Sequence, residues 1–288
     1  MLIANPIYDT VFKRLMENKR IAKFFVETLI GEKVEEIALV PQEYTYKEEI
    51  ETEQTEQIVD AEINGATEVK KKYETYKIMR LDFVATIRTE KGEYKKILIE
   101  IQKSSASSDL LRFRKYLGEQ YQRLDMVEIA TGKVEKSLPI VCIYLLGFKV
   151  TKTKIPAIKV NRTYLDMIGE KQITQKIGWL EALTHDGYFV QIPHIKGKPR
   201  TALEKLLSVF EQEYFINREK TLKGYEYPID DENVKAMVDV LCHAAADPKT
   251  KRDMEEAWYA ELNEREYQMN MAESKKLSDL EIVAAKCI

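Results

Sequence analysis

Apolar and polar positions along 81–103 trace a hairpin. Leu81-Asp82-Phe83-Val84-Ala85-Thr86-Ile87 and Ile97-Leu98-Ile99-Glu100-Ile101-Gln102-Lys103 are rich in β-branched residues and bounded by charged or turn residues, so both read as strands. A three-residue loop of Glu90, Lys91 and Gly92, with the glycine left-handed, is a common way to join them. If Thr89 faces Glu93, paired positions sum to 182 and Asp82 lies opposite Glu100. Side chains alternate between faces. Ile97, Ile99 and Ile101 therefore enter a core, while Glu100 and Gln102 share the other side. A slip of one residue on one strand would put the two acids on opposite faces.

The same patterning organises the rest of the chain. Asn5-Pro6 reads as a helix N-cap and first position, followed by Ile7, Val11, Phe12, Leu15 and Met16 at helical spacing. Asn18 caps a second helix with Ile21, Phe24, Phe25 and Leu29 on one side, and Gly31 ends it. Residues 37–45 suggest a strand, and the polar stretch 46–77 an excursion between strands. Residues 104–109 make a serine-rich turn, and a helix over 108–126 aligns Arg112, Tyr116, Gln120 and Arg123. The nine-residue apolar run 138–146 fits a strand covered on both faces. Further strands are expected over 158–165 and 187–195, and helices over 202–216, 230–246 and 249–270. Asp247-Pro248 separates the last two, because proline rarely continues a helix. In the terminal helix Met254, Trp258 and Leu262 recur every fourth residue, which fits packing on the parent domain. The alternative is a homodimer contact. This organisation divides into a domain over 1–216, with the polar insertion at 46–77, and a helical region over 217–288.

Composition narrows the classes. A chain of 288 residues with 44% hydrophobic and 32% charged residues can bury a sizeable core beneath a solvated surface. No segment is long and apolar enough for a bilayer span, and the N-terminus has no apolar stretch suited to export. Cys142, Cys242 and Cys287 are scattered, which suits a reducing compartment and no zinc pattern. The expectation is a cytoplasmic protein without a membrane partner. A net charge of −3 conceals an asymmetry: 45–77 carries a balance of −4 and 103–123 one of +3. A local basic surface can bind phosphates without a basic average.

Two carboxylates facing each other on an apolar hairpin should repel unless a cation lies between them. Mg²⁺ is held in this way, by one or two carboxylates with water and substrate phosphate. Other chemistries have less support. His185, His194 and His243 fall in separate segments, and neither a glycine-rich phosphate loop nor a serine-nucleophile motif is present.

An aspartate on one strand and Glu-X-Gln on the next resembles the PD-(D/E)XK nuclease superfamily. The nearer likeness is to its Rpn-type branch, the recombination-promoting nucleases and transposase-like proteins. It runs through Asn5-Pro6-Ile7-Tyr8-Asp9-Thr10-Val11-Phe12-Lys13-Arg14-Leu15, Arg112-Phe113-Arg114-Lys115-Tyr116, Pro139 to Leu146, and Ala202 to Phe210, over about residues 4–216. The resemblance implies an α/β restriction-endonuclease-like core: a central mixed β-sheet flanked by helices, here with a helical C-terminal extension. It implies Mg²⁺- or Mn²⁺-dependent hydrolysis of DNA, with Asp82, Glu100 and the Ile101 carbonyl as metal ligands. Gln102 stands where the wider superfamily usually has lysine; it can orient water or a phosphate oxygen but supplies no charge. Lys103 is adjacent but on the opposite face unless the strand ends or twists there. Asp9 either completes the metal shell or pairs with Lys13. Arg112 and Tyr116 are expected to contact the scissile phosphate, unless Tyr116 packs over the sheet. The alternative function is a catalytically weak nucleic-acid-binding or assembly module with the same fold.

Overall fold

A computed structural model describes residues 1–39, 43–54, 69–80, 82–103 and 107–285. The chain opens with β1 (Leu2–Ala4), then α1 (Asp9–Glu17) and α2 (Lys19–Ile30). α1 buries Val11, Phe12, Leu15 and Met16, the positions its spacing predicts. Its start differs from expectation: residues 5–8 form a turn, and Tyr8 precedes the helix without a side-chain cap. The Asn5 side chain bonds the Ile7 amide, Gln212 and the Lys220 carbonyl instead. Asn18 does cap α2, accepting from the amides of Arg20 and Ile21, and Gly31 ends it in the left-handed conformation at φ 73°.

Next come β2 (Val34–Leu39), the paired strands β3 (Glu43–Gln54) and β4 (Val69–Arg80), and then β5 (Phe83–Thr89) and β6 (Tyr94–Gln102). The expected strand over 37–45 thus divides between β2 and β3; positions 40–42, 55–68 and the serine turn at 104–106 lie outside the described residues. α3 (Ser107–Gln122) is followed by the hairpin β7 (Asp125–Ile129) and β8 (Gly132–Lys136), and by β9 (Ile140–Leu146). β10 (Ala157–Val160), the small hairpin β11 (Tyr164–Asp166) and β12 (Lys171–Ile173), α4 (Gly178–Leu183) and β13 (His185–Gln191) come after it. α5 (Ala202–Ser208) is shorter than its pattern suggests, and β14 (Leu222–Gly224), α6 (Glu232–Ala246) and α7 (Pro248–Ala285) finish the chain. α7 runs beyond the expected end near 270.

Six strands form the central sheet in the order β10-β13-β9-β6-β5-β2. β6, β9 and β13 are parallel, and the outer strands are antiparallel, so the sheet is mixed. β9 lies between parallel neighbours and is buried along nearly its whole length, which accounts for its unbroken apolar sequence. On one face Phe83, Ala85, Ile97, Ile99, Val141 and Ile143 pack against α1, α2, α5 and α6. Phe12, Phe25 and Phe210 meet there with ring centroids 5.8–6.5 Å apart. On the other face Val84, Leu98, Ile140 and Cys142 pack beneath Phe113 and Tyr116 of α3.

The core crosses the boundary drawn at 216. β14 pairs with β1, and Val234, Met237, Leu241 and Met254 join the cluster that holds α1 and α2. Met254 is fully buried and Trp258 packs against the same cluster, so the face singled out on the terminal helix is used within the chain. Among the described residues no helix is long and apolar enough to cross a membrane.

Candidate active site

The β5–β6 hairpin has the register its turn chemistry predicts. Phe83 pairs with Ile99 and Arg88 with Tyr94, the Thr89 amide bonds the Glu93 carbonyl at 2.9 Å, and Gly92 takes φ 77°. Asp82 lies immediately before β5. Its Oδ2 accepts the Ile101 amide at 2.5 Å, so it faces the end of β6. The Lys96 amide bonds the Pro139 carbonyl and the Gly147 amide bonds the Gln102 carbonyl. Even-numbered residues of β6 therefore direct their backbone groups to β9, and odd-numbered ones to β5. By that alternation the Ile101 carbonyl faces the strand edge where Asp82 stands.

Glu100 is buried on the α3 face of the sheet. Its Oε1 accepts from Arg112 at 3.1 Å, while its buried Oε2 has no hydrogen-bond partner. Burial raises the Glu100 carboxyl to about 7; Arg112 and the Asp82 amide oppose the rise, and Asp9 adds to it. Burial also lifts Asp82 well above the carboxylate range, and the charge of Glu100 lifts it further. The Ile101 amide opposes that shift, while Asp9, within hydrogen-bond reach, adds to it. Both carboxyls are thus held above their usual range although Arg112 pairs with one Glu100 oxygen. The orphaned oxygen, the raised carboxyls and the adjacent carbonyl fit a hard divalent ion, which takes oxygen ligands and completes its shell with water.

The remaining expected residues divide. Arg112 also donates to Gln102 Oε1 at 3.0 Å, placing Glu100, Gln102 and Arg112 together. Arg112, Arg114 and Lys115 are exposed along the outer side of α3. Asp9 approaches Asp82 but is held by Lys13 at 2.8 Å, the i,i+4 pairing. Among the described residues no three His, Cys, Asp or Glu side chains converge as a metal-binding group.

Tyr116 and Lys103, both expected as substrate contacts, are turned elsewhere, Lys103 to the face that strand alternation predicts. Tyr116 is buried against the sheet in the α3 core, which keeps its ring from a substrate phosphate. Lys103 follows the end of β6 and turns to the opposite face, with Nζ 3.2 Å from the Tyr8 ring centroid and 3.8 Å from Glu261 Oε2. The sequence carried no signal for that partner, because Glu261 lies far away in α7. It also gave no sign of the buried Lys96–Asp125 pair (2.8 Å) at the other end of β6.

The histidines are dispersed. His185 bonds the Tyr121 hydroxyl at 2.9 Å, and His243 Nδ1 lies 2.7 Å from the Asp239 carbonyl oxygen. Cys142 and Cys242 are free thiols, and burial raises that of Cys142 to about 12. No family model, curated protein or solved structure matches the chain.

Proposed function

We propose that this protein is a metal-dependent DNA endonuclease with a restriction-endonuclease-like core, in the Rpn-type branch its sequence resembles, acting in recombination or with mobile elements. The observation that carries the reading is the pairing of half-buried Asp82 with buried Glu100, one of whose oxygens has no hydrogen-bond partner. Placing two carboxyls together away from water is costly, and Arg112 offsets it at Glu100 Oε1 while Oε2 keeps no hydrogen-bond partner. A fold concerned only with stability has little reason to keep both acids at one strand end.

Asp82, Glu100 and the Ile101 carbonyl would hold Mg²⁺ or Mn²⁺. Such an ion supplies hydroxide near neutral pH and offsets charge on the phosphate. The protein groups position the reactants. The Gln102 amide, bonded to Arg112, can orient the attacking water or a phosphate oxygen. Arg112 offers a guanidinium shaped for phosphate, and Arg114 and Lys115 extend the cationic surface along the duplex. Water adds to phosphorus and loses a proton as the P–O bond to the leaving sugar oxygen breaks; that oxygen gains a proton.

Supercoiled plasmid incubated with Mg²⁺ or Mn²⁺ tests this. Nicking is expected with metal, falling to background in Asp82→Ala and Glu100→Ala. Unchanged nicking in both variants would overturn the site. One observation favours a second reading, a binding or assembly module without efficient catalysis. Arg112 already partners Glu100, as a cation would. That reading predicts salt-sensitive DNA binding without metal-dependent cleavage, so a binding titration at two salt concentrations runs beside the plasmid assay.

A further inference from the structure

Across the sheet end from the carboxylate pair lies a second polar cavity that the nuclease reading does not use. It has a volume of about 250 Å³ and opens between the loop before α1, the ends of β6 and β9, the 212–220 segment and α7. Lys103, Lys220 and Arg265 supply its positive charge, and Tyr8, Phe215 and Trp258 its aromatic surface. Among the described residues its lining has one carboxylate, Glu261, 3.8 Å from Lys103 and 2.5 Å from Arg265. The cavity therefore has excess positive charge, with a single acid acting as internal counter-ion.

The chemistry of the wall selects the ligand. Lys103 is largely withdrawn from water, its side chain 23% exposed. Tyr8, Glu261, Arg265 and Asp9 all bear on it. Its ammonium lies over the Tyr8 ring, 3.2 Å from the centroid, and Glu261 pairs with both it and Arg265. A buried cation repelled by a neighbouring arginine gains from a dianion placed between them. Lys220 stands 5.8 Å from the Phe215 ring centroid, and Arg218, just outside the cavity, 5.9 Å from that of Trp258, so cation and aromatic face recur together. Such a pairing suits a phosphate joined to a flat heteroaromatic ring, because bases stack on aromatic side chains. The volume lies below the ~300–1,000 Å³ of clefts for drug-sized ligands, so it suits a compact ligand.

We infer that this cavity binds the phosphate monoester of a nucleotide, held by Lys103, Lys220 and Arg265 with the base against Trp258 or Phe215. The ligand is either a free mononucleotide or the phosphorylated end of a strand. Entry of the phosphate displaces Glu261 from its role as counter-ion. The inference does not depend on the metal site, and EDTA separates the two.

Calorimetry on the full chain in EDTA tests it. A nucleoside 5′-monophosphate is expected to bind at least tenfold more tightly than the same nucleoside or inorganic phosphate. Arg265→Glu, an exposed substitution, and Lys103→Gln, checked for folding by circular dichroism, should each weaken binding at least fivefold. Competition by a 5′-phosphorylated oligonucleotide, but not its 5′-hydroxyl counterpart, assigns the site to a strand end; its absence assigns a free nucleotide. No binding at millimolar nucleotide, equal binding of inorganic phosphate, or full affinity in Arg265→Glu would overturn the inference.

Discussion

Glu100 and Asp82 carry the chemical argument at the level of single residues, and their protonation makes it testable. A carboxyl raised in the folded state keeps its proton to higher pH than in the unfolded chain. Its favourable contribution is complete below the unfolded value of about 4.5 and is lost as pH rises through about 7. Metal-free protein should therefore lose thermal stability between about pH 4.5 and 7, apart from the effects of other groups, and Mn²⁺ should restore it in the upper part of that range. A calorimetric pH series with and without Mn²⁺ checks this. Glu100→Gln removes the repulsion and should stabilise the metal-free protein at pH 8 by about 1–3 kcal/mol, since each pKa unit corresponds to ~1.4 kcal/mol. The same change should remove the stabilisation by Mn²⁺. Arg112→Ala takes away the group that opposes the rise at Glu100, so half-maximal Mn²⁺ uptake should move to higher pH by about 1 unit. Metal uptake measured against pH gives that midpoint.

Elements determine where those groups stand. The two acids approach each other only because the hairpin register is fixed, and Gly92 at φ 77° helps to fix it. A side chain in the left-handed region costs about 1–2 kcal/mol. Gly92→Val should lower stability by that amount in chemical denaturation, although a Cβ there meets no neighbouring atom. Asn18 accepts two amides at the start of α2, and Asn18→Ala should cost about 1 kcal/mol in the same assay. Both features were legible because each depends on local geometry: a turn that needs positive φ and a helix start that needs an acceptor. The Asn5-Pro6 start was misread for the converse reason. The same asparagine oxygen serves a cap or a turn, and distant groups at Gln212 and Lys220 settle which.

For the whole molecule, the distinctive feature is that the last helices belong to the core that supports the sheet. Met254 is fully buried against that core, and Trp258 packs beside it. Met254→Ala should destabilise the protein by about 2–5 kcal/mol, because the cavity lies in an interior shared with α1 and α6. A fall in unfolding midpoint without loss of the single transition is the expected denaturation result. The same docking brings Glu261 and Arg265 to Lys103, so one helix both closes the core and forms a wall of the second cavity.

Local pattern by itself determined the β5–β6 register, the buried character of β9, the α2 cap and the break at Asp247-Pro248. Each follows from periodicity, turn geometry or proline's missing donor, which act over a few residues. Tertiary structure alone decided that α3 buries Tyr116 against Val84 and Leu98 of the sheet, that Arg112 joins Glu100 to Gln102, and that Lys103 meets Glu261. Those outcomes depend on which remote surfaces exclude water from a charged group, and no spacing along the chain records that.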